Sequence, residues 1–338
     1  MTDLLTRDRP AAGKEKGRVL PRALSTQEVV LIGVLIMIWI LLGIFTPNFL
    51  TPQSIQPLLA NAAPIALIGV GMTIVIITAG IDISVAAMLL VCAVVMGKLM
   101  VDLSWPVPVA LLAGITLGGL CGLFNGLLVA VGRVHPIIIT FGTSNIFMFL
   151  GWRIFDSEVV DGIPTTIGVL GRGGDGRTFG VPHSFLIMLV LAAIAWWYLR
   201  YTVGGRHFYA IGNDQNAARL VGIRVQKRIV IPYIVTGLLV GFAALVVMAN
   251  GTQTLAQSVG RGMELQAIAA VVIGGTSIVG GRGSVLGTVL GALLVQTVRS
   301  GVIQLGWAPQ LENFVVGIAI IIAVGVDLLQ QRLTGRSS

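Results

Sequence analysis

Hydrophobic residues in this 338-residue chain form long continuous runs, and polar residues are concentrated between them. Ten runs approach the roughly 20 residues that cross a bilayer as a helix. They cover residues 28–46, 56–79, 83–101, 107–131, 136–154, 183–200, 229–250, 264–280, 284–304 and 311–329. Glycines break the second, third, eighth and ninth runs, which predicts interrupted or re-entrant helices there. The pattern predicts an all-α, polytopic membrane protein with about ten transmembrane segments.

The runs predict one transmembrane domain over residues 25–332, flanked by short tails at 1–24 and 333–338. Two longer polar segments, 155–182 and 201–228, lie within this domain. Lys and Arg concentrate in the first tail and in 201–228, whereas 155–182 is richer in Asp and Glu. Because basic residues collect in cytoplasmic loops, we expect both termini and 201–228 in the cytoplasm and 155–182 on the outer side.

Composition supports a membrane protein, since 55% of the residues are hydrophobic and only 11% are charged, against about 25% charged in soluble domains. The net charge of +8 then reflects membrane topology, and no nucleic-acid partner is expected. Cys92 and Cys121 both lie inside apolar runs without metal-ligand spacing. We therefore expect both cysteines to be packing residues.

Sequence signatures of catalysis are missing. The chain has no G-x-x-x-x-G-K-[ST] phosphate-binding loop and no H-E-x-x-H metal motif, and its three histidines are scattered. We expect a chain that is not an enzyme and binds no cofactor or metal. Energy for any transport must then come from an ion gradient or from a partner protein.

Asp82, in the motif GIDIS at residues 80–84, falls between two apolar runs. Carboxylates inside a membrane are costly and usually face a cavity or a partner. Alternatively, Asp82 lies in a cytoplasmic turn and caps the following helix. Ser84 is also a candidate cap for that helix.

Neutral polar residues inside the runs are candidates for a substrate path, because they suit a hydroxyl-rich solute. Each is equally consistent with hydrogen bonding between membrane helices. The motifs GGTS, at 274–277, and GGRGS, at 280–284, interrupt an apolar run. They indicate either a pore lining or a tight turn, because irregular backbone at membrane depth must be covered by protein or by a water-filled cavity. The candidates are Asn61, Asp82, Ser84, Thr140, Thr143, Asn145, Gln266, Thr276 and Ser277.

A weak internal repeat relates AGIDISVAAMLLVCAVV, residues 79–95, to VGGRGSVLGTVLGALLV, residues 279–295. Gly80 and Gly280 coincide at an offset of 200 residues, as do Ser84 and Ser284. Repeats with interrupted helices occur in transporters, although chance matches between glycine-rich apolar helices are also common.

The polar stretch IGNDQNAARLVGIRVQKR, residues 211–228, predicts a helix of about two turns. Asn213 or Asp214 can cap its start, and Gly222 can end it in the left-handed conformation. We expect Ala217, Ala218 and Val221 to share one face, with Leu220 at its edge. Because so short a helix is unstable alone in water, it either docks into a partner or lies on the membrane. In the second case Arg219, Arg224, Lys227 and Arg228 would contact lipid phosphates.

Four motifs together resemble the ribose-type branch of bacterial ABC sugar-importer permeases, over about residues 30–330. They are GRHFYAIGNDQNAARLVGI (205–223), GIDISV (80–85), HPIIITFGT (135–143) and ELQAIAAVVIGGTSIVGGRGSVLGT (264–288). The resemblance implies a multi-pass subunit of the bacterial inner membrane that imports a monosaccharide by alternating access. It also implies three partners: a second permease copy or a paralogue, a periplasmic sugar-binding protein, and a cytoplasmic ATPase that holds ATP and Mg.

The resemblance further implies that the short helix in 201–228 couples the chain to the ATPase. The implied coupling residues are Asn216, Ala217, Ala218, Arg219, Leu220, Gly222 and Ile223. One alternative is a gradient-driven secondary transporter of a small polar solute, with Asp82 as the coupling carboxylate. A membrane-embedded enzyme would need a cluster of His, Asp or Glu, which the sequence does not indicate.

Overall fold

The computed structural model describes residues 25–132, 134–156, 159–171, 176–251, 253–308, 310–312, 314–318, 321 and 325. Both predicted tails lie outside the described residues, as does most of the tenth predicted segment. The described elements are α1 (Thr26–Phe45), α2 (Pro52–Ile77), α3 (Val85–Val101), α4 (Val107–Gly132), α5 (Pro136–Phe155), a 3-10 helix η1 (Thr165–Leu170), β1 (Arg177–Thr178), β2 (Val181–Pro182), α6 (His183–Tyr201), α7 (Val203–Asn213), α8 (Gln215–Leu220), α9 (Val225–Asn250), α10 (Met263–Ile273) and α11 (Val285–Gln304).

The predicted all-α membrane class is confirmed. Among the described residues, seven helices are long and apolar enough to cross a membrane, namely α1, α2, α4, α5, α6, α9 and α11. The apolar helices α3 and α10 are shorter. The antiparallel pair of β1 and β2 lies within the predicted loop 155–182.

Glycines interrupt fewer helices than the sequence predicts. The second, third and ninth segments are continuous helices, α2, α3 and α11, of 26, 17 and 20 residues, so the interruption expected there is wrong. In α2 the glycines serve close packing, because a Cβ on Gly71 would lie 2.8 Å from the Cα of Thr236. The eighth segment does break, and α10 ends at Ile273 before Gly275, whose φ is +89°.

The centre of the molecule is formed by α2, of whose most apolar stretch 94% is buried. Helix α9 packs between α2 and α4. A Cβ on Gly118 of α4 would lie 2.2 Å from the carbonyl oxygen of Gly237 in α9, and one on Gly122 would lie 2.1 Å from that of Tyr233. The four-residue spacing of Gly118 and Gly122 is the small-residue pattern that lets membrane helices approach closely. Cys92 and Cys121 are buried in the core, as predicted.

Two ends of the bundle differ in structure. At the linker end, two non-helical segments connect long helices: linker 1, residues 78–84 between α2 and α3, and linker 2, residues 274–284 between α10 and α11. Helices α7 and α8 lie at this end. At the loop end, the segment 156–182 pairs with the segment 251–262 through a bridge between Val160 and Leu255.

Charge differs between the two ends in the described part of the chain. The linker end carries Arg200, Arg206, Arg219, Arg224, Lys227, Arg228 and Arg282. At the loop end, Lys98 pairs with Asp102 at 3.1 Å, and Arg153 pairs with Asp156 at 3.2 Å. The linker end is therefore the more basic end, in the sense that the sequence predicts.

Candidate functional site

The two linkers meet in space. The backbone N–H of Gly281 donates a hydrogen bond of 2.9 Å to the carbonyl oxygen of Ile77, the last residue of α2. Gly280, whose φ is +100°, packs against Ala79, and a Cβ at Gly280 would lie 2.9 Å from the Cβ of Ala79. Linker 2 can approach this closely because its glycines adopt the left-handed region without a steric penalty.

The internal repeat has a structural counterpart. Ser84 and Ser284 are the N-cap residues of α3 and α11, which begin at Val85 and Val285. Their side chains differ, however. The Ser284 hydroxyl accepts a hydrogen bond from the backbone N–H of Gly287, whereas Ser84 makes no such cap. The prediction that the Ser84 side chain caps its helix is therefore wrong, because that side chain bonds elsewhere.

Asp82 lies in linker 1 and is fully buried. Its Oδ1 accepts hydrogen bonds from the backbone N–H of Ser84 at 2.9 Å and from the Ser84 hydroxyl at 2.6 Å. The Ser84 hydroxyl in turn accepts a hydrogen bond of 2.7 Å from the side-chain amide of Asn125 in α4. Asp82 therefore lies in a turn, as one sequence interpretation predicts, but its Oδ1 bonds to the N-cap residue Ser84 and not to the first turn of α3, and its Oδ2 has no hydrogen-bond partner among the described residues.

Thr140 connects the same turn to α5. Its hydroxyl donates to the carbonyl oxygen of Ile81 at 3.1 Å and accepts from the backbone N–H of Ile83 at 3.2 Å. Asp82, Ser84 and Asn125 thus form one buried polar network, and Thr140 binds the backbone of the same turn on either side of Asp82. Sequence reasoning missed Asn125, although a lone asparagine in the glycine-rich apolar run 107–131 was a usable signal.

The other path candidates lie in different places. Thr143 is buried and donates to the carbonyl oxygen of Thr140, and Asn145 is exposed on α5 and donates to that of Phe141. Thr276 and Ser277 are buried in linker 2. Asn61 is exposed on α2, on the loop-end side. The structure brings no single pocket together from these side chains in the part of the chain that it describes.

Gln266, in the first turn of α10, belongs to a second polar group. Its amide donates to Glu312 Oε1 at 3.0 Å, and Glu312 Oε2 lies 3.5 Å from Nε of Arg299 in α11. Sequence reasoning missed Arg299 and Glu312. The signal in the sequence was that Arg299 lies inside an otherwise apolar helix, because a charged side chain inside a membrane segment usually pairs with another group.

The predicted short helix is α8. Asp214 caps it, because Oδ1 accepts from the backbone N–H groups of Asn216 at 2.7 Å and Ala217 at 3.1 Å. After the helix, Gly222 adopts a φ of +84°. Both predicted end signals are therefore confirmed, with Asp214 rather than Asn213 as the cap.

The predicted face of α8 is wrong. Ala218 is buried against Ile211 and Val225 of its own chain, and Ile223 packs beside it. Ala217 and Val221 are exposed, and so are the coupling candidates Asn216, Arg219, Leu220 and Gly222. Leu220 and Val221 are the most exposed large apolar side chains of this segment, at 88% and 76% exposure. The free apolar surface of α8 is therefore Leu220 with Val221, because Ala218 anchors the helix.

Helix α7 connects α8 to linker 2 and to the end of α2. The Tyr209 hydroxyl donates to the carbonyl oxygen of Gly283 in linker 2 at 3.1 Å. Burial raises the pKa of Tyr209, partly opposed by the charge of Arg200, so this hydroxyl remains a protonated donor. One turn further on, Gly212 lies against Ile77 and Gly281 where the linkers join. The helix that precedes α8 is therefore in contact with linker 2 and with the end of α2.

Comparison with known proteins gives the family. Residues 54–324 match the family model described as branched-chain amino acid transport system / permease component. The chain belongs to this permease family. Its curated relatives include the ribose import permease of Escherichia coli (strain K12), which is 35% identical over 93% of this chain and 97% of the relative.

Two further relatives carry similar names. The ribose import permease of Bacillus subtilis (strain 168) is 36% identical over 88% of this permease and 91% of the relative. The fructose import permease of Rhizobium meliloti is 31% identical over 88% of this permease and 83% of the relative. No solved structure matches the permease at a significant level. The resemblance to ribose-type sugar permeases that the four motifs indicated is confirmed.

Proposed function

We propose that this permease is the membrane-spanning subunit of a bacterial ABC importer that carries a monosaccharide by alternating access. The relatives are named for the import of ribose and fructose, which supports a monosaccharide as the substrate class. The sequence has no phosphate-binding loop, so ATP with its Mg would be held by a partner ATPase. A second copy or paralogue would complete the path, and a sugar-binding protein would deliver the substrate.

The observation that carries this proposal is the geometry of α8. A helix of six residues is held at both ends and by Ala218, and it presents Leu220 and Val221 outward. Exposed apolar side chains on an otherwise polar, basic surface mark an interaction site. Because α8 directly follows α7, and α7 contacts linker 2 and the end of α2, a partner that binds α8 would act on the central helices α2 and α11.

Orientation follows from charge. The basic linker end faces the cytoplasm by the positive-inside rule, and α8 is then on the side where an ATPase is found. In a bacterial inner membrane the loop end would then face the periplasm. There the fully exposed Phe179, in the turn between β1 and β2, is available to a binding protein.

A gradient-driven transporter is the competing function, with Asp82 as the coupling carboxylate. Such a group must exchange protons or ions with water during the cycle. Asp82 is instead fully buried, with both of its described hydrogen bonds made to Ser84. This enclosure favours the ATP-driven mechanism, in which only differential contacts of the partner with the two states drive the switch.

The test is co-purification of the permease with its candidate ATPase. In the double variant Leu220→Asp and Val221→Asp, we expect at least a roughly tenfold loss of bound ATPase, since charges replace an apolar contact. Phe179→Asp, an equally exposed apolar position at the other end, serves as the matched control and should retain the ATPase. If the double variant keeps both the ATPase and sugar uptake, α8 is not the coupling element.

A further inference from the structure

A cavity of about 1110 Å³ lies at the linker end, between linker 1, the end of α4, the start of α5, α8 and the start of α9. Its polar wall carries Arg219, Arg224, Lys227 and His135. In the described part of the chain no carboxylate lines this cavity, and none pairs with those three Arg and Lys side chains. The cavity therefore concentrates uncompensated positive charge, which attracts an anion.

Other parts of the cavity lining are apolar. Val129 and Ala130 come from the end of α4, Val134 from the turn before α5, and Ile229 from the first turns of α9. Val129 and Ala130 are largely buried, while Val134 is 40% exposed. A ligand that fills the cavity therefore meets both positive charge and apolar side chains, as a molecule that joins an anionic group to hydrocarbon would.

The depth of the cavity in the membrane identifies the kind of ligand. Its apolar wall coincides with the ends of two candidate membrane spans, Val107–Gly132 and Val225–Asn250. Arg219 and Arg224 lie just outside those spans, and Lys227 lies in the first turn of the second. This is the level of the lipid headgroups, where basic pockets between membrane helices bind anionic lipid.

We propose that this cavity binds one anionic phospholipid of the adjacent leaflet. Its phosphate contacts Arg224, Lys227 and Arg219, and an acyl chain lies along Val129, Val134 and Ile229. The lipid would bridge α8 and linker 1, two elements that move relative to each other if α8 transmits force. A soluble sugar phosphate satisfies the cations but leaves the apolar wall in water, so the lipid is the better occupant.

The test is native mass spectrometry of the purified full-length permease, titrated with phosphatidylglycerol or with phosphatidylcholine of the same acyl chains. We expect one phosphatidylglycerol to be retained in preference to phosphatidylcholine. The double variant Arg224→Gln and Lys227→Gln should weaken this binding about 25-fold, since each basic residue near an anionic surface contributes about fivefold.

Matched charge removal outside the cavity distinguishes a site from general surface attraction. Arg200→Gln with Arg206→Gln removes the same charge from exposed positions at the same end and should change binding less than about twofold. Equal losses in the two double variants would mean that lipid is held by diffuse charge. Absence of any preference for phosphatidylglycerol would also overturn the proposal.

A second variant tests the apolar wall with every cation intact. Val134→Trp fills the cavity from a half-exposed position, so the fold should be retained, and we expect bound phosphatidylglycerol to fall at least fivefold. Glycerol 3-phosphate, a soluble phosphate without acyl chains, tests whether the phosphate group alone is enough for binding. If it binds the delipidated permease and Val134→Trp leaves lipid binding unchanged, the occupant is a soluble phosphate and the lipid proposal is wrong.

Discussion

Gly212 faces Ile77 so closely that a Cβ added to Gly212 would lie 1.8 Å from the Ile77 carbonyl oxygen. The same carbonyl accepts the hydrogen bond from Gly281 that joins linker 2 to the end of α2. Three segments distant in the sequence therefore converge on one backbone group. The helix next to α8 can reach this group only because residue 212 has no side chain.

Gly212→Ala should separate α7 from the linkers. The added methyl group would overlap backbone atoms, which cannot rotate away as a side chain can, and we expect a loss of about 1–3 kcal/mol of stability. Thermal unfolding in detergent measures the loss, and sugar uptake should fall with it. Gly33→Ala is the control, because a Cβ at Gly33 has no neighbour within 4 Å. Equal melting temperatures for the two variants would contradict the proposed contact.

Two neighbouring alanines in α8 should respond in opposite ways to the same substitution. Ala218→Trp must fit a large ring where Ile211 and Val225 now pack, so we expect destabilisation of the α7–α8 region by about 1–3 kcal/mol. Ala217→Trp places the ring in solvent and should leave stability unchanged while hindering the ATPase. Limited proteolysis reports the first effect and ATPase co-purification reports the second. A stable Ala218→Trp protein would disagree with the structure.

Asp214 should be replaceable by asparagine but not by alanine. Asparagine keeps a side-chain oxygen that can accept from the N–H groups of Asn216 and Ala217, whereas alanine removes it and should cost α8 about 0.5–2 kcal/mol. Hydrogen exchange at residues 215–220 should therefore rise in Asp214→Ala and stay close to wild type in Asp214→Asn. Identical exchange in both variants would show that the cap contributes nothing.

Asp82 provides a direct test between the two transport mechanisms. Asp82→Asn keeps an oxygen for the two hydrogen bonds from Ser84, so ATP-driven uptake should persist with less than about 1 kcal/mol of destabilisation. Asp82→Leu leaves buried donors unsatisfied and should cost about 1–3 kcal/mol. Uptake in proteoliposomes and thermal unfolding measure the two effects. Loss of uptake in a stably folded Asp82→Asn permease would instead support a coupling carboxylate.

Local signals in the sequence were sufficient for the parts of the molecule that depend on neighbouring residues. Helix α8 begins after Asp214 and ends before Gly222 as predicted, since capping and left-handed turns involve residues only a few positions apart. Local signals could not predict which side of α8 is buried. Ala217 and Ala218 are chemically identical, and only the positions of Ile211 and Val225 make Ala218 the buried one.

The sequence by itself determined the membrane class, the approximate segments, the charge difference between the ends and the family motifs, because these follow from hydropathy and local order. Only the tertiary structure decided that Asn125 bonds to Ser84 beside Asp82, that Arg299 is paired with Glu312, and that linker 2 is hydrogen-bonded to the end of α2. Such contacts depend on how glycine-rich helices pack, and hydropathy does not specify which helices become neighbours.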